Sequence, residues 1–495
     1  MTTAITRYGT VSGEVIDGVA RFLGIPYAAS PTGALRFQAP APPQPWEGVR
    51  ECLAFGPTPP KPDYAAPFDT ILPEPNIPGD DWLNLNVWTP DLVGSAPVMV
   101  FIHGGAFANG NSAVTMYDGH AFARDGVVLV SINYRLGVDG FALLPDAPPN
   151  RGLLDQVAAL EWVRDNITAF GGDPANVTIF GESAGAMSVT TLLGMTRARG
   201  LFARVIAQSG AAQVGADPED ARLVTGELSA ALGFEATAAS LAETDLGKLV
   251  AAQATVRDAL ATGPDPARFG PTIVAHSMAF VPVVDGDVLP VHPLAALAGG
   301  SGADVALLIG TNTEEFRLFL VPTGMAALIT PEVLPAVAGG LGVDPAVVAL
   351  YQANRPGASA GDVLSALITD RFFRVPMFAA AEARLAAGGP APTYLYEFAW
   401  RSPVLDLGAA HAIELPFVFD NLDAADAAGI LGTEPPTDLA ATVHATWIRF
   451  AATGDPGWQP FDPGYPVMTW DGERGEVVAD PRGDERRSWA ALAPH

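Results

Sequence analysis

The sequence contains one cysteine, Cys52, in 495 residues. A single thiol excludes an intramolecular disulfide and a cysteine-based zinc site, and it fits a reducing compartment. Basic residues are scarce, with 27 Lys and Arg against 54 Asp and Glu, a net charge of −27. That balance argues against nucleic acids and anionic membranes as partners. The acidity is read as serving solubility, with steering of cationic substrates as the alternative. No uninterrupted apolar run reaches about 18 residues, so no membrane span is expected. The opening residues MTTAITRYGTVSGEV have neither a basic nor an apolar signal region, so a cytoplasmic location is expected, with export by another route left open. Histidines number only seven, a short list in which to look for a catalytic base. Apolar residues make up 49%, enough for a large core. The length is compatible with one large α/β domain carrying insertions, or with two to three subdomains. No tandem repeats stand out. The Pro-rich stretch Pro57 to Pro78 reads as an ordered surface loop.

The most informative segment is VTIFGESAGAMSVTTLL, residues 177–193. A short β-branched and aromatic run leads into Gly181-Glu182-Ser183-Ala184-Gly185, and an apolar stretch of helical length follows. Strand, sharp turn and helix are the context of a nucleophile elbow, with Ser183 at the apex. A second G-x-S-x-G, Gly357 to Gly361, follows Asn354-Arg355-Pro356. It therefore reads as a loop or helix start, and Ser359 as structural.

Further strands are expected at Val98–Ile102, Val127–Ile132, Val205–Ala207, Val305–Ile309 and Tyr394–Phe398. Leu153–Phe170 has helical spacing. Strands alternating with helices predict a mostly parallel sheet with its site at the strands' carboxyl ends. His103-Gly104-Gly105, Ser183, Ser209 and the Thr311–Glu315 segment all fall there. The segments 211–303 and 316–392 interrupt this rhythm and are expected to build a helical cap.

A serine hydroxyl needs a base, an orienting acid and donors for the oxyanion. His103 adjoins Gly-Gly and belongs with an oxyanion loop. His120 also precedes the elbow, and His276 and His292 lie in the first insertion. His444 sits in an amphipathic helix, and His495 is terminal. His411 remains, in a small-residue loop after the Tyr394–Phe398 strand. The acid should lie between Ser183 and His411, after a strand, where Glu315 and its neighbour Glu314 are both chemically competent. Gly104 and Gly105 let the backbone approach a developing oxyanion, and Ala184 offers a third amide.

These residues resemble the type-B carboxylesterases, the α/β-hydrolase group of para-nitrobenzyl esterases, carboxylesterases and cholinesterases. The resemblance runs through GIPYAASPTGALRF (24–37), DDWLNLNVWTP (80–90), VFIHGGAF (100–107), NYRLGVDGF (133–141), FGGDPANVTIFGESAGAMSV (170–189), AQSG (207–210), IGTNTEEF (309–316), HAIELPFVF (411–419) and FAATGDP (450–456). It implies a single α/β-hydrolase domain over 1–495, with a large central sheet and a deep gorge. It also implies a Ser183, Glu315 and His411 triad, oxyanion donors at Gly104, Gly105 and Ala184, and supporting roles for Glu182 and Ser209. Trp82 stands where many members have cysteine, no choline-binding tryptophan is evident in 57–79, and Phe316 stands where glycine is common. Phe107, Phe316, Phe319, Phe372 and Phe373 are expected as pocket walls.

The expected activity is hydrolysis of small-to-medium acyl or aryl esters through an acyl-enzyme, with no cofactor and no metal. Carbamates, amides or a specialised natural-product ester are the alternative substrates on the same triad. A non-enzymatic adhesion role is disfavoured because all three triad residues are present. The partner is expected to be a small-molecule ester, and the protein a monomer or weak homo-oligomer.

Overall fold

A computed structural model describes residues 1–472 and 474–489. His495 lies outside the described residues. Thirteen strands form one sheet among the described residues. In chain order they are β1 Thr2–Thr6, β2 Gly9–Ile16, β3 Val19–Pro26, β4 Val49–Glu51, β5 Asn84–Thr89, β6 Ala96–Ile102, β7 Val128–Ile132, β8 Gly172–Glu182, β9 Arg204–Gln208, β10 Ala306–Asn312, β11 Thr393–Phe398, β12 Pro466–Trp470 and β13 Glu476–Ala479. Their spatial order is β1-β2-β3-β5-β7-β6-β8-β9-β10-β11-β12-β13, with β4 beside β2. The run from β7 through β6, β8, β9, β10 and β11 to β12 is parallel, while the β1-β2-β3-β5-β7 side and β13 pair antiparallel.

The central strands read as continuous apolar runs because helices cover both faces. Val98, Val100 and Ile102 of β6 join one buried cluster, and Met99 and Phe101 join the other. Successive side chains of a strand point to opposite faces, so five consecutive apolar residues feed two cores. In β8, Val177 and Ile179 enter the first cluster and Phe180 the second. Each such side chain contributes about 1.5–3 kcal/mol relative to exposure.

The two expected insertions are helical but pack differently. Segment 211–303 buries Val224, Leu228, Leu249 and Val256 in the first main cluster. Segment 316–392 builds a small core of its own around Leu334, Tyr351, Leu364 and Leu367. Ser359 begins the helix Ala360–Thr369, where its hydroxyl and the Asp362 carboxylate cap each other's backbone amides. That is the structural role expected of it. Among the described residues no helix is long and apolar enough to cross a membrane.

Candidate active site

Strand β8 ends at Glu182 and the helix Ala184–Gly194 begins two residues later. Ser183 joins them at φ 55° and ψ −123°, a conformation that costs an L-residue about 1–3 kcal/mol and must be held by its surroundings. The hold is steric. A Cβ on Gly181 would come within 2.6 Å of the Ile102 carbonyl oxygen, and one on Gly185 within 2.0 Å of the same atom. The Ser183 amide donates to Gln208 O at 2.9 Å, which ties the apex to β9.

Beyond β10, the Glu315 carboxylate is fully buried. Its Oε1 accepts from the Asn312 amide at 2.7 Å and its Oε2 lies 2.7 Å from His411 Nδ1. Both oxygens are committed, so the ring is fixed on one side. The other ring nitrogen, Nε2, lies 3.0 Å from Oε1 of Glu182. Phe373 and Phe319 rest against the imidazole with ring centroids 4.9 Å and 5.5 Å away. Glu314, the neighbour left open as an alternative acid, turns the other way. It accepts from the Ala409 amide at 3.0 Å and pairs with Arg401.

The turn after β6 supplies Gly104 and Gly105. A Cβ on Gly104 would meet Glu182 O at 2.8 Å and the Ser183 side chain at 3.0 Å, and Gly105 has φ +106°. The two amides find no acceptor among the described residues. His103 anchors the turn from behind. It stacks on Tyr134 at 4.6 Å, its Nδ1 lies 2.8 Å from Gly104 O, and burial pushes its imidazole down to about 4. A histidine that stays neutral suits a scaffold position.

With this geometry the comparisons with known proteins agree. A model of the carboxylesterase family matches residues 2–479. The chain belongs to the carboxylesterase family. It is 39% identical to the para-nitrobenzyl esterase of Bacillus subtilis (strain 168) over 463 residues, covering 91% of this chain and 90% of that one. It is 34% identical to the phenmedipham hydrolase of Pseudarthrobacter oxydans, with 96% of each covered. Among solved structures, the Geobacillus stearothermophilus carboxylesterase EST55 at pH 6.2 superposes with a TM-score of 0.85 at 37% identity, covering 99% of this chain and 100% of that one. The fold is accordingly the α/β-hydrolase fold, and the protein is a carboxylic-ester hydrolase.

In this carboxylesterase, Ser183, His411, Gly104, Gly105 and Glu182 line one cavity of about 520 Å³. Ser209 is fully buried with φ 52° and donates its amide to Gly310 O at 2.8 Å, so it ties the end of β9 to β10. Of the five phenylalanines expected as pocket walls, Phe319 lines the cavity. Phe373 packs on His411, and Phe316 and Phe372 stack on each other behind Phe319. Phe107 lies outside the lining. Its positive φ of 58° turns the ring into the core, onto Phe141.

The Pro57–Pro78 stretch is the surface loop its composition suggested, with Asp63, Ala65, Asp69 and Asn76 exposed, but its inner side does more. It folds over the end of β6, and Tyr64, Phe68, Leu72 and Glu74 line the cavity. The inward turn is held by Glu74, whose Oε2 accepts from the Gly110 amide at 2.7 Å and whose Oε1 accepts from Asn109 Nδ2 at 3.1 Å. Asn109 in turn donates its amide to Gly105 O at 2.8 Å. The loop is thus stitched to the turn that carries Gly104 and Gly105. Glu414 was also missed. It is buried three residues after His411 and accepts from Asn312 Nδ2 at 2.7 Å and Gln208 Nε2 at 3.0 Å. An acid inside the HAIELPF motif was the signal for it.

Electrostatics tie these acids to His411. Burial disfavours its imidazolium, but Glu182 and then Glu315 outweigh burial and push the ring up to about 9. Burial raises the Glu182 carboxyl, opposed by its attraction to His411. With His411 as the expected base, able to accept a proton only when neutral, kcat/KM should rise with pH from neutrality towards about 9. Glu182→Gln removes a negative charge 3.0 Å from Nε2 and should move that rising limb to lower pH, by about one unit or more. A pH–rate profile of both proteins checks this, and a limb that stays in place would refute the coupling.

Proposed function

We propose that this carboxylesterase cleaves small-to-medium acyl and aryl esters through a Ser183, His411 and Glu315 triad. The observation that carries the reading is the 2.7 Å contact of His411 Nδ1 with the buried Glu315, together with Ser183 and His411 lining one cavity. The neutral His411 takes the Ser183 proton at Nε2, and Oγ forms a bond to the ester carbonyl carbon. The carbonyl oxygen becomes an oxyanion facing the amides of Gly104, Gly105 and Ala184. As the tetrahedral species collapses, the bond to the alcohol oxygen breaks and His411 returns the proton to that oxygen. Water then repeats the sequence on the acyl-enzyme, with His411 as base, and releases the acid and free Ser183. Glu315 holds the ring in one tautomer and stabilises the imidazolium. No step requires a cofactor or metal.

The cavity's size and its Phe68, Leu72, Met116, Leu318 and Phe319 walls support a bounded apolar substrate. The single, buried Cys52 supports action in a reducing, cytoplasmic setting. A series of para-nitrophenyl esters from acetate to palmitate tests the reading. The kcat/KM for butyrate should exceed that for palmitate by about tenfold or more. A maximum at palmitate would overturn the size limit, and no turnover of any member would overturn the esterase reading.

A further inference from the structure

In a chain with twice as many acids as bases, one arginine lines the catalytic cavity among the described residues. Arg257, on the helix Leu246–Thr262, lines both the 520 Å³ cavity that holds Ser183 and a second cavity of about 160 Å³. The two share Ala106, Arg257 and Asp258, so the guanidinium stands at their join. A guanidinium carries five N–H donors. Arg257 makes one hydrogen bond, from Nη1 to the neutral Oδ1 of Asn109 at 2.8 Å, and no ion pair reaches it among the described residues.

The fully buried arginines of the chain are tied to carboxylates or to several carbonyls. Arg135 holds Asp155 and the Gln38 carbonyl, and Arg374 holds Asp370 and Glu397. Arg151, without a carboxylate, donates to four backbone carbonyls. The acids that line the cavity near Arg257 are otherwise engaged or face solvent. Glu74 is held by Gly110, Asn109 and, at 3.9 Å, Lys61. Asp63 accepts from Asn76, and both Asp63 and Asp258 are exposed. Burial holds the Arg257 guanidinium below its ordinary value, against the pull of Tyr64, Asp258 and Glu74. A desolvated cation with unused donors gains most from an anion that arrives with the substrate.

We propose that Arg257 recognises a carboxylate borne by the ester substrate, making carboxylate-bearing esters the class that this site prefers. This rests on the Ser183 reading of the cavity. Asn109 fixes the guanidinium from the oxyanion side, so the anchor and the reacting carbonyl are referenced to the same turn.

Two matched pairs of esters test it. Mono-para-nitrophenyl glutarate against para-nitrophenyl pentanoate puts the carboxylate on the acyl side, and 4-acetoxybenzoate against its methyl ester puts it on the leaving side. The charged-to-neutral ratio of kcat/KM should fall about 10- to 100-fold in Arg257→Gln for at least one pair. Arg257→Lys should restore it only in part, since an ammonium lacks the planar fork. Calorimetric titration of glutarate into the unmodified protein and into Arg257→Gln reads the anchor without catalysis, and glutarate affinity should fall by a similar factor. Ratios and glutarate affinity that do not change in Arg257→Gln would overturn the proposal. Loss of all ester turnover in the unmodified protein, with glutarate binding still dependent on Arg257, would instead overturn the Ser183 reading and leave the anion anchor standing.

Discussion

Replacing Ser183 by alanine should lower kcat for para-nitrophenyl butyrate by about 10⁴- to 10⁶-fold. In the proposed mechanism the removed oxygen is the atom that forms the acyl bond. The residual rate would come from the oxyanion amides and from binding alone. An organophosphate should label Ser183 and leave Ser359 unlabelled. Ser359→Ala should keep near-normal turnover, because that hydroxyl caps the helix Ala360–Thr369 and costs about 1 kcal/mol of stability when lost. Stopped-flow and steady-state assays of both variants decide the matter. An active Ser183→Ala protein, or a label on Ser359, would refute the assignment.

The second large effect is expected at Glu315. Glu315→Gln keeps the volume, but an amide cannot supply the charge that stabilises the imidazolium and can impose the wrong tautomer through its NH₂. The expected loss in kcat is about 10²- to 10⁴-fold. Glu314→Gln should cost about tenfold or less, since Glu314 braces Ala409 and pairs with Arg401 rather than touching the ring. Circular dichroism and thermal melts should precede the rate comparison, because Glu315 also accepts the buried Asn312 amide. A crippled Glu314→Gln beside a normal Glu315→Gln would shift the acid by one residue.

Local pattern carried much of the architecture. The β6 and β8 runs were readable because both faces of a central parallel strand are covered, so their residues are apolar without alternation. The elbow was readable because its glycines are demanded by contacts across a few residues and one neighbouring strand. Glu314 and Glu315 were not separable by pattern alone, since the direction each takes depends on Arg401, Ala409 and His411, up to 96 positions away. Phe107 misled for a similar reason. Its backbone sits at a positive φ set by the glycine turn, and an aromatic in a motif says nothing about which side its ring takes. The Pro-rich segment looked like surface because its composition is that of a loop. Its inward side is held by Glu74 reaching the Gly110 amide 36 residues on and by Asn109 and Asn111 reaching the Pro62 and Pro75 carbonyls, contacts with no local signature.

Those contacts have a consequence for how this enzyme can change. The segment that lines the chamber and the turn that carries Gly104 and Gly105 are fastened together, by Glu74 on the Gly110 amide and by Asn109 and Asn111 on the Pro62 and Pro75 carbonyls. A shortened or lengthened Pro57–Pro78 segment would therefore not be a neutral exchange of wallpaper. It would tug on the electrophilic machinery, and variants selected for a new substrate there should lose speed on every ester alike until a replacement for Glu74 restores the fastening.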